Sequence, residues 1–424
     1  MRIQNLLGFL MVGLFLIVGI GCEYEDYPDP IWDPGDAGGP TPVITSMDPA
    51  DVAYDGLTIV TITGENFSEV VTENQVTFNG VVAEINADLS STTQLVVTMP
   101  VVITDASLNA ISGVQVMVAV QSAYAGAVYD QDFRIERAVI EWGGFIGEKP
   151  EKLPNAVAVD ADENVFIAAG DKILYKVDTA GDRIEYGTGL SATTNDLKIG
   201  PGGEPYFARN NPFIYRFDPG GGAAVRWHRV GSKITCFDFN IDQNIYCGGK
   251  NDSLYFVDVS AETNRGVALS EDYIYTTLRV YDGYVYVAGV YDGDDTAVTV
   301  TEAVWRHEIL AGDDLGPREL VFEWASTDEV AEQNILSMVV DENGLFYLGL
   351  SEADGPAIVT VNFATQEVEP FYNAVLTAPA TSLSWGNSGY IYSTRTMAVS
   401  TDDLPTGAFR IAQSLTSALY YGRN

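Results

Sequence analysis

Leu153-Pro154-Asn155-Ala156-Val157-Ala158-Val159-Asp160, a polar turn ending at Asn164, then Val165-Phe166-Ile167-Ala168 and Ile173-Leu174-Tyr175-Lys176-Val177-Asp178 form the stretch that decides the reading of this chain. Short apolar runs rich in β-branched and aromatic residues, bounded by Asp, Asn and Gly, are strand signals. The stretch then returns. Asp196-Leu197-Lys198-Ile199 and Cys236-Phe237-Asp238-Phe239 repeat its first run, Pro205-Tyr206-Phe207 and Ile245-Tyr246-Cys247 its second, Ile214-Tyr215-Arg216-Phe217-Asp218 and Leu254-Tyr255-Phe256-Val257-Asp258 its third. Phe166, Tyr206, Tyr246 and Tyr286 are spaced by 40 residues, and Tyr347 and Tyr392 follow after gaps of 61 and 45. Six copies of a four-stranded unit of about 40 to 50 residues predict a six-bladed β-propeller over 138–424, because a blade can bury its two faces only against its neighbours. Either 415–421 or 139–142 supplies the last strand of blade six, the latter closing the ring.

Upstream, residues 42–135 hold six or seven strand candidates, at 43–44, 57–63, 75–78, 94–99, 114–120 and 133–135, with turn chemistry at Asp48-Pro49, Gly64-Glu65-Asn66 and Asn79-Gly80. With no amphipathic helical stretch, this is the pattern of a small β-sandwich. The expected fold class is all-β, an immunoglobulin-like sandwich followed by a six-bladed propeller. Residues 1–21 carry Arg2 and an apolar run from Leu6 to Ile20 interrupted by glycine. That run is short of the roughly 20 residues a membrane span needs and reads as a secretion signal. After Cys22, the Pro-, Gly- and carboxylate-rich segment up to residue 41 cannot bury enough apolar surface to fold and reads as a tether.

Five resemblances follow from these residues. Gly21-Cys22 after the apolar run resembles the lipobox of bacterial lipoproteins, with Gly19 where that family usually has leucine; the resemblance implies lipidation of Cys22. Acyl chains contribute about 0.8 kcal/mol per buried CH₂, so a multiply acylated cysteine holds a protein on a membrane. The acidic start of the tether resembles the surface-export signal of Bacteroidota lipoproteins, which implies an outer-membrane or cell-surface location. Pro42-Val43-Ile44, Asp48-Pro49, Gly56, Val60-Thr61-Ile62-Thr63-Gly64-Glu65-Asn66-Phe67, Val76-Thr77-Phe78-Asn79-Gly80 and Met99-Pro100 resemble, in order, the landmarks of an IPT/TIG domain. Within them Gly64 is expected to take a positive φ while Phe67 folds back onto the core. The repeats of 138–424 resemble NHL-type propeller repeats, with gluconolactonase-like propellers as relatives. The order of signal, TIG module and propeller resembles Bacteroidota surface lipoproteins, which are often linked to glycan capture.

Chemistry in such a propeller belongs at the mouth of the central channel, where the innermost strands begin. The residues before those strands are Asn155, Asn195, Thr235, Thr276, Leu336 and Thr381, and the first strand residues are Ala156, Asp196, Cys236, Thr277, Ser337 and Ser382. This ring of small neutral groups contains one carboxylate, Asp196, whereas an oxygen-ligated divalent ion wants several. His228 and His307 fall in expected outer strands and read as exposed strand histidines, so zinc or histidine acid/base chemistry is poorly supported. No catalytic residue is assigned. Asp292, Asp294 and Asp295 lie in an enlarged turn and offer carboxylates to Ca²⁺, a solvated acidic loop being the alternative. Arg209, Asn211, Lys250, Asn251, Tyr273, Tyr275, Tyr291 and Arg395 are expected on the rim around the mouth, where tyrosine faces and guanidinium forks suit a glycan or a protein loop. In a hairpin centred on Ile241-Asp242, Cys236 and Cys247 stand opposite each other, which allows a cross-strand disulfide; two buried free thiols are the alternative.

The chain has 59 Asp and Glu against 22 Lys and Arg, a net charge of −37. Residues 23–135 contain Arg134 as their one basic residue against seventeen carboxylates, so no phosphate-binding surface can be built there and a nucleic-acid partner is excluded. The leading expectation is a lipid-anchored surface protein whose propeller rim binds a glycan or protein. A lactonase- or lyase-type propeller enzyme and a purely architectural envelope protein are the alternatives.

Overall fold

The computed structural model describes residues 38–105, 108–250, 253–269, 272–324, 333–351, 355–373, 375–376, 379–395, 406–413 and 415–423. The signal-like segment, Cys22, most of the tether and Asn251 lie outside these residues.

In the N-terminal unit, Val43–Asp48, Ile59–Glu65, Gln94–Thr98 and Glu84–Ile85 form one sheet. Ala127–Val128, Val116–Val120, Asn74–Phe78 and Val81–Val82 form a second. Val60, Ile62, Leu95 and Val97 of the first meet Val76, Phe78, Val116 and Val118 of the second in one core that also takes in Phe67. The alternation of apolar and polar residues along these strands is what gives each sheet one buried face. Gly64 is a strand residue without a positive φ; that conformation belongs to Asn66 at 63°. Glycine is required at 64 because a Cβ there would collide with the Val43 carbonyl oxygen and the Phe67 ring.

The second unit is a ring of six sheets, as its six aromatic landmarks predict; among the described residues five are four-stranded, and that of blade one gains a fifth short strand, Gly222–Ala223. Its inner strands are Pro154–Val159, Asp196–Ile199, Cys236–Phe239, Tyr273–Tyr281, Ile335–Val340 and Ser382–Trp385. Each landmark pairs with the equivalent inner-strand residue: Phe166 with Ala158, Tyr206 with Lys198, Tyr246 with Asp238, Tyr286 with Arg279, Tyr347 with Val339 and Tyr392 with Ser384. Each also belongs to a different apolar cluster, and the six clusters are the six seams between blades. The 40-residue period is therefore the period of the seam.

Polar residues make the hairpin turns repeat. Asp160, Asn240 and Asp341 end three inner strands, and the Oδ1 of each accepts the backbone N–H groups two and four residues on, at 2.8–3.1 Å. The turn then passes through a positive φ at Glu163, Gln243 or Gly344. These side-chain bonds mimic a backbone turn and set the reversal locally.

Blade six is completed by Val139–Glu141, which runs antiparallel to Gly407–Ala412 with Val139 opposite Ile411 and Glu141 opposite Phe409. The first strand of the propeller thus closes the last blade. The other candidate, 415–421, instead belongs to a segment, 415–423, that lies across the end of the channel where the inner strands finish. Glu342 N–H donates to the Thr416 carbonyl, Ala418 N–H to that of Val340, and the Tyr420 hydroxyl to that of Ile199.

Candidate functional site

The channel mouth is held together by the side chains that line it. Asp196 Oδ2 accepts the Phe237 N–H of the next blade at 3.0 Å, Ser337 Oγ accepts that of Leu383 at 2.8 Å, and Ser382 Oγ that of Val157 at 3.2 Å. One step deeper, Asp238 Oδ2 accepts the Val280 N–H at 2.8 Å. The neutral positions are similarly committed. Asn155 donates to the Ala192 carbonyl, Thr235 to Tyr275, Thr276 to Ala288 and Thr381 to Thr394, while Asn195 is exposed. Asp196 is buried and paired with Lys198 at 2.7 Å; burial raises its carboxyl pKa and Lys198 opposes that rise.

Several residues expected on the rim belong to the core. Tyr275 is fully buried, Tyr273 is 7% exposed with its hydroxyl on the Val300 carbonyl, and Arg395 is 5% exposed with its guanidinium 5.3 Å from the Phe409 ring centre. The reason is strand length. Tyr273–Tyr281 and Tyr284–Tyr291 extend the hairpin of blade four upward, and the tyrosines at its top pack against Trp305 rather than solvent. Tyr291 is half-buried, and its hydroxyl accepts the Asp295 N–H at 3.1 Å.

Asp292, Asp294 and Asp295 are exposed, and Asp295 Oδ1 accepts the Ala297 N–H. Among the described residues no three carboxylate, histidine or cysteine side chains converge as ligands of one ion, so the expected Ca²⁺ set is not assembled. His307 is 2% exposed rather than solvent-facing, its Nδ1 lying 3.0 Å from the Gly316 carbonyl oxygen. His228 is half-buried and 2.8 Å from Asn264 Nδ2.

Cys236 and Cys247 are free and buried. The turn of their hairpin is centred on Asp242, so Cys236 pairs with Gly248 and Cys247 with Phe237. A shift of one residue sends side chains to opposite faces of a sheet. Cys236 accordingly packs in the seam between blades three and four, and Cys247 in that between blades two and three.

What remains on the mouth-side rim is a sector of cations. Arg209 reaches the Tyr215 hydroxyl at 2.7 Å, its guanidinium carbon 4.2 Å from that ring's centre, and Asn211 Nδ2 donates to the same hydroxyl at 3.1 Å. Lys250 is exposed in the corresponding turn of blade three. Two further cations were not singled out from the sequence. Lys172 occupies the equivalent turn of blade one at a φ of 71°, and Lys233 lies where blade two leads into blade three; both are exposed. Aligning the turns between second and third strands across the repeat brings out Lys172; Lys233 has no such signal.

A third missed residue is Glu302, 8% exposed between blades four and five. Its Oε1 accepts the Ile335 N–H at 2.8 Å, and burial pushes its carboxyl up to about 7.

Residues 42–135 match the family model of the IPT/TIG domain. No curated protein matches the chain. A putative phosphatase from Bacteroides thetaiotaomicron has a similar structure, with a TM-score of 0.52 at 11% identity over 90% of this chain and 99% of its own. An auxiliary nutrient binding protein from the same organism gives 0.50 at 11% identity, covering 90% and 99%. Another from Bacteroides ovatus gives 0.49 at 14%, covering 88% and 98%. Identity this low establishes shared architecture alone. A fold shared by a protein described as an auxiliary nutrient binding protein and by one described as a putative phosphatase does not choose between those roles.

Proposed function

We propose that this chain is an exported, lipid-anchored binding protein of the cell surface: Cys22 holds the membrane, the IPT/TIG module spaces, and the propeller rim takes an anionic glycan. The observation that carries the binding role is the cationic sector of blades one to three. Lys172, Arg209, Lys233 and Lys250 lie in loops on the mouth side of three successive blades in a chain with only 22 basic residues, with half-buried Asn211 and buried Tyr215 beneath Arg209. Guanidinium and ammonium groups recognise carboxylated sugars through charge-assisted hydrogen bonds.

The anchor rests on the lipobox-like Gly21-Cys22. Mass spectrometry of the membrane-extracted protein tests it: an acylated N-terminal cysteine is expected, and an unmodified Cys22 removes the anchor. Affinity electrophoresis of the detergent-extracted protein in gels containing polygalacturonate, alginate or neutral dextran tests the ligand. Retardation is expected in the polyuronate gels, reversed by salt and reduced at least fivefold in Arg209→Ala/Lys250→Ala. Equal mobility in all gels would remove the acidic-glycan reading.

A further inference from the structure

The segment 415–423 builds a cavity as it crosses the channel. Its empty volume is about 410 Å³, counting the part open to solvent, and its lining includes Lys198, Arg279, Trp385, Ser417, Tyr420 and Arg423. Lys198 is paired with Asp196, and Arg279 with Asp238 at 2.8 Å. Glu163, a further carboxylate near Arg423, accepts the N–H groups of Asn387 and Ser388. Arg423 is bound differently. Its guanidinium lies 5.0 Å from the centre of the Tyr420 ring, and its Nε and Nη1 are buried with no hydrogen-bond partner. The indole Nε1 of Trp385, a residue only 3% exposed, is also without a partner.

Buried donors without acceptors are costly, most of all on a charged group. The arginine has paid no such penalty in water, and its pKa is drawn down to about 10, chiefly by burial. Asp196 and Asp238 pair with Lys198 and Arg279, whereas Glu163 and Asp238 act on Arg423 only at longer range and none of the described carboxylates forms an ion pair with it.

We propose that the cavity is a binding site for a small monovalent anion, of the size and charge of a carboxylate group, held by Arg423 and the Trp385 indole N–H. The site is separate from the rim and does not depend on the glycan reading, because a polymer cannot enter it. Thermal melting of the full chain at constant ionic strength tests the proposal, with sodium formate, sodium chloride and the bulky morpholinoethanesulfonate as probes. Formate should raise Tm saturably and the bulky anion should not; a chloride response equal to that of formate extends the site to halides, and a weaker one assigns it to oxyanions. Arg423→Gln should weaken the apparent formate Kd at least tenfold. Trp385→Phe, which keeps the ring and removes the donor, should weaken it several-fold and decides the matter if the arginine variant does not fold. A formate response unchanged in the variants, or one matched by the bulky anion, overturns the proposal.

Discussion

Glu302 and His307 lie on the same strand of blade four, and burial acts on them in opposite directions. The Glu302 carboxyl is raised from 4.5 to about 7, so the folded chain holds that proton more tightly than the unfolded one. Its contribution to stability is full below about 4.5 and is lost as pH rises through about 7. Glu302→Gln keeps an oxygen to accept the Ile335 N–H and removes the titration. Relative to the parent, the variant should gain up to about 3 kcal/mol between acid and mildly alkaline pH, read from Tm at a series of pH values. A constant difference between the two proteins would show that Glu302 does not titrate on its own. For His307 burial lowers the pKa below 6.5, so its contribution is present above that value and falls as pH drops through the folded pKa. That effect is common to both proteins and cancels in the comparison. Tyr275 illustrates the same rule for packing. Its truncation to alanine should cost about 3 to 5 kcal/mol as a cavity in the core, measured by denaturant unfolding, rather than weaken a ligand. Nothing in Tyr273-Ile274-Tyr275 distinguishes a rim tyrosine from a buried one, because the difference lies in how far blade four's hairpin extends.

Elements were legible wherever the signal was local. The Asp160, Asn240 and Asp341 turns, the aromatic landmarks and the alternating strands of 42–135 each rest on residues within a few positions of one another. Register was less legible. Moving the centre of one turn from Ile241-Asp242 to Asp242 separated Cys236 from Cys247 and placed them in different seams. Closure was undecidable from pattern alone, because 139–142 and 415–421 are both plausible strands and only pairing with Gly407–Ala412 selects one. Ile140→Pro removes a donor from that closing pair and should destabilise the propeller by about 3 kcal/mol or more. Hydrogen exchange would locate the effect, with faster exchange in 407–412; unchanged protection there would mean that the ring does not depend on this strand.

At the scale of the molecule, the charge of −37 is carried on tether, sandwich and propeller, and the cations stand out by where the fold gathers them. Lys172, Arg209, Lys233 and Lys250 come from three blades to one sector of rim, and Lys198, Arg279 and Arg423 come from two inner strands and the terminal segment to one cavity. Truncation after residue 414 should expose the Arg279–Asp238 pair at its base and lower Tm by several degrees, with the rim's glycan retardation unchanged. Loss of both together would couple the channel floor to the rim. The chain alone determined the all-β class, the number of blades, the sandwich before them and the acidic composition, because periodicity and turn chemistry are written in neighbouring residues. The tertiary structure decided that Asp196, Ser337 and Ser382 stitch blades together, that Tyr273, Tyr275 and Arg395 are core, and that 415–423 floors the channel. Those outcomes depend on which groups meet across tens to hundreds of residues, and a hydroxyl or carboxylate has the same sequence signature whether its partner is a ligand or the backbone of the next blade.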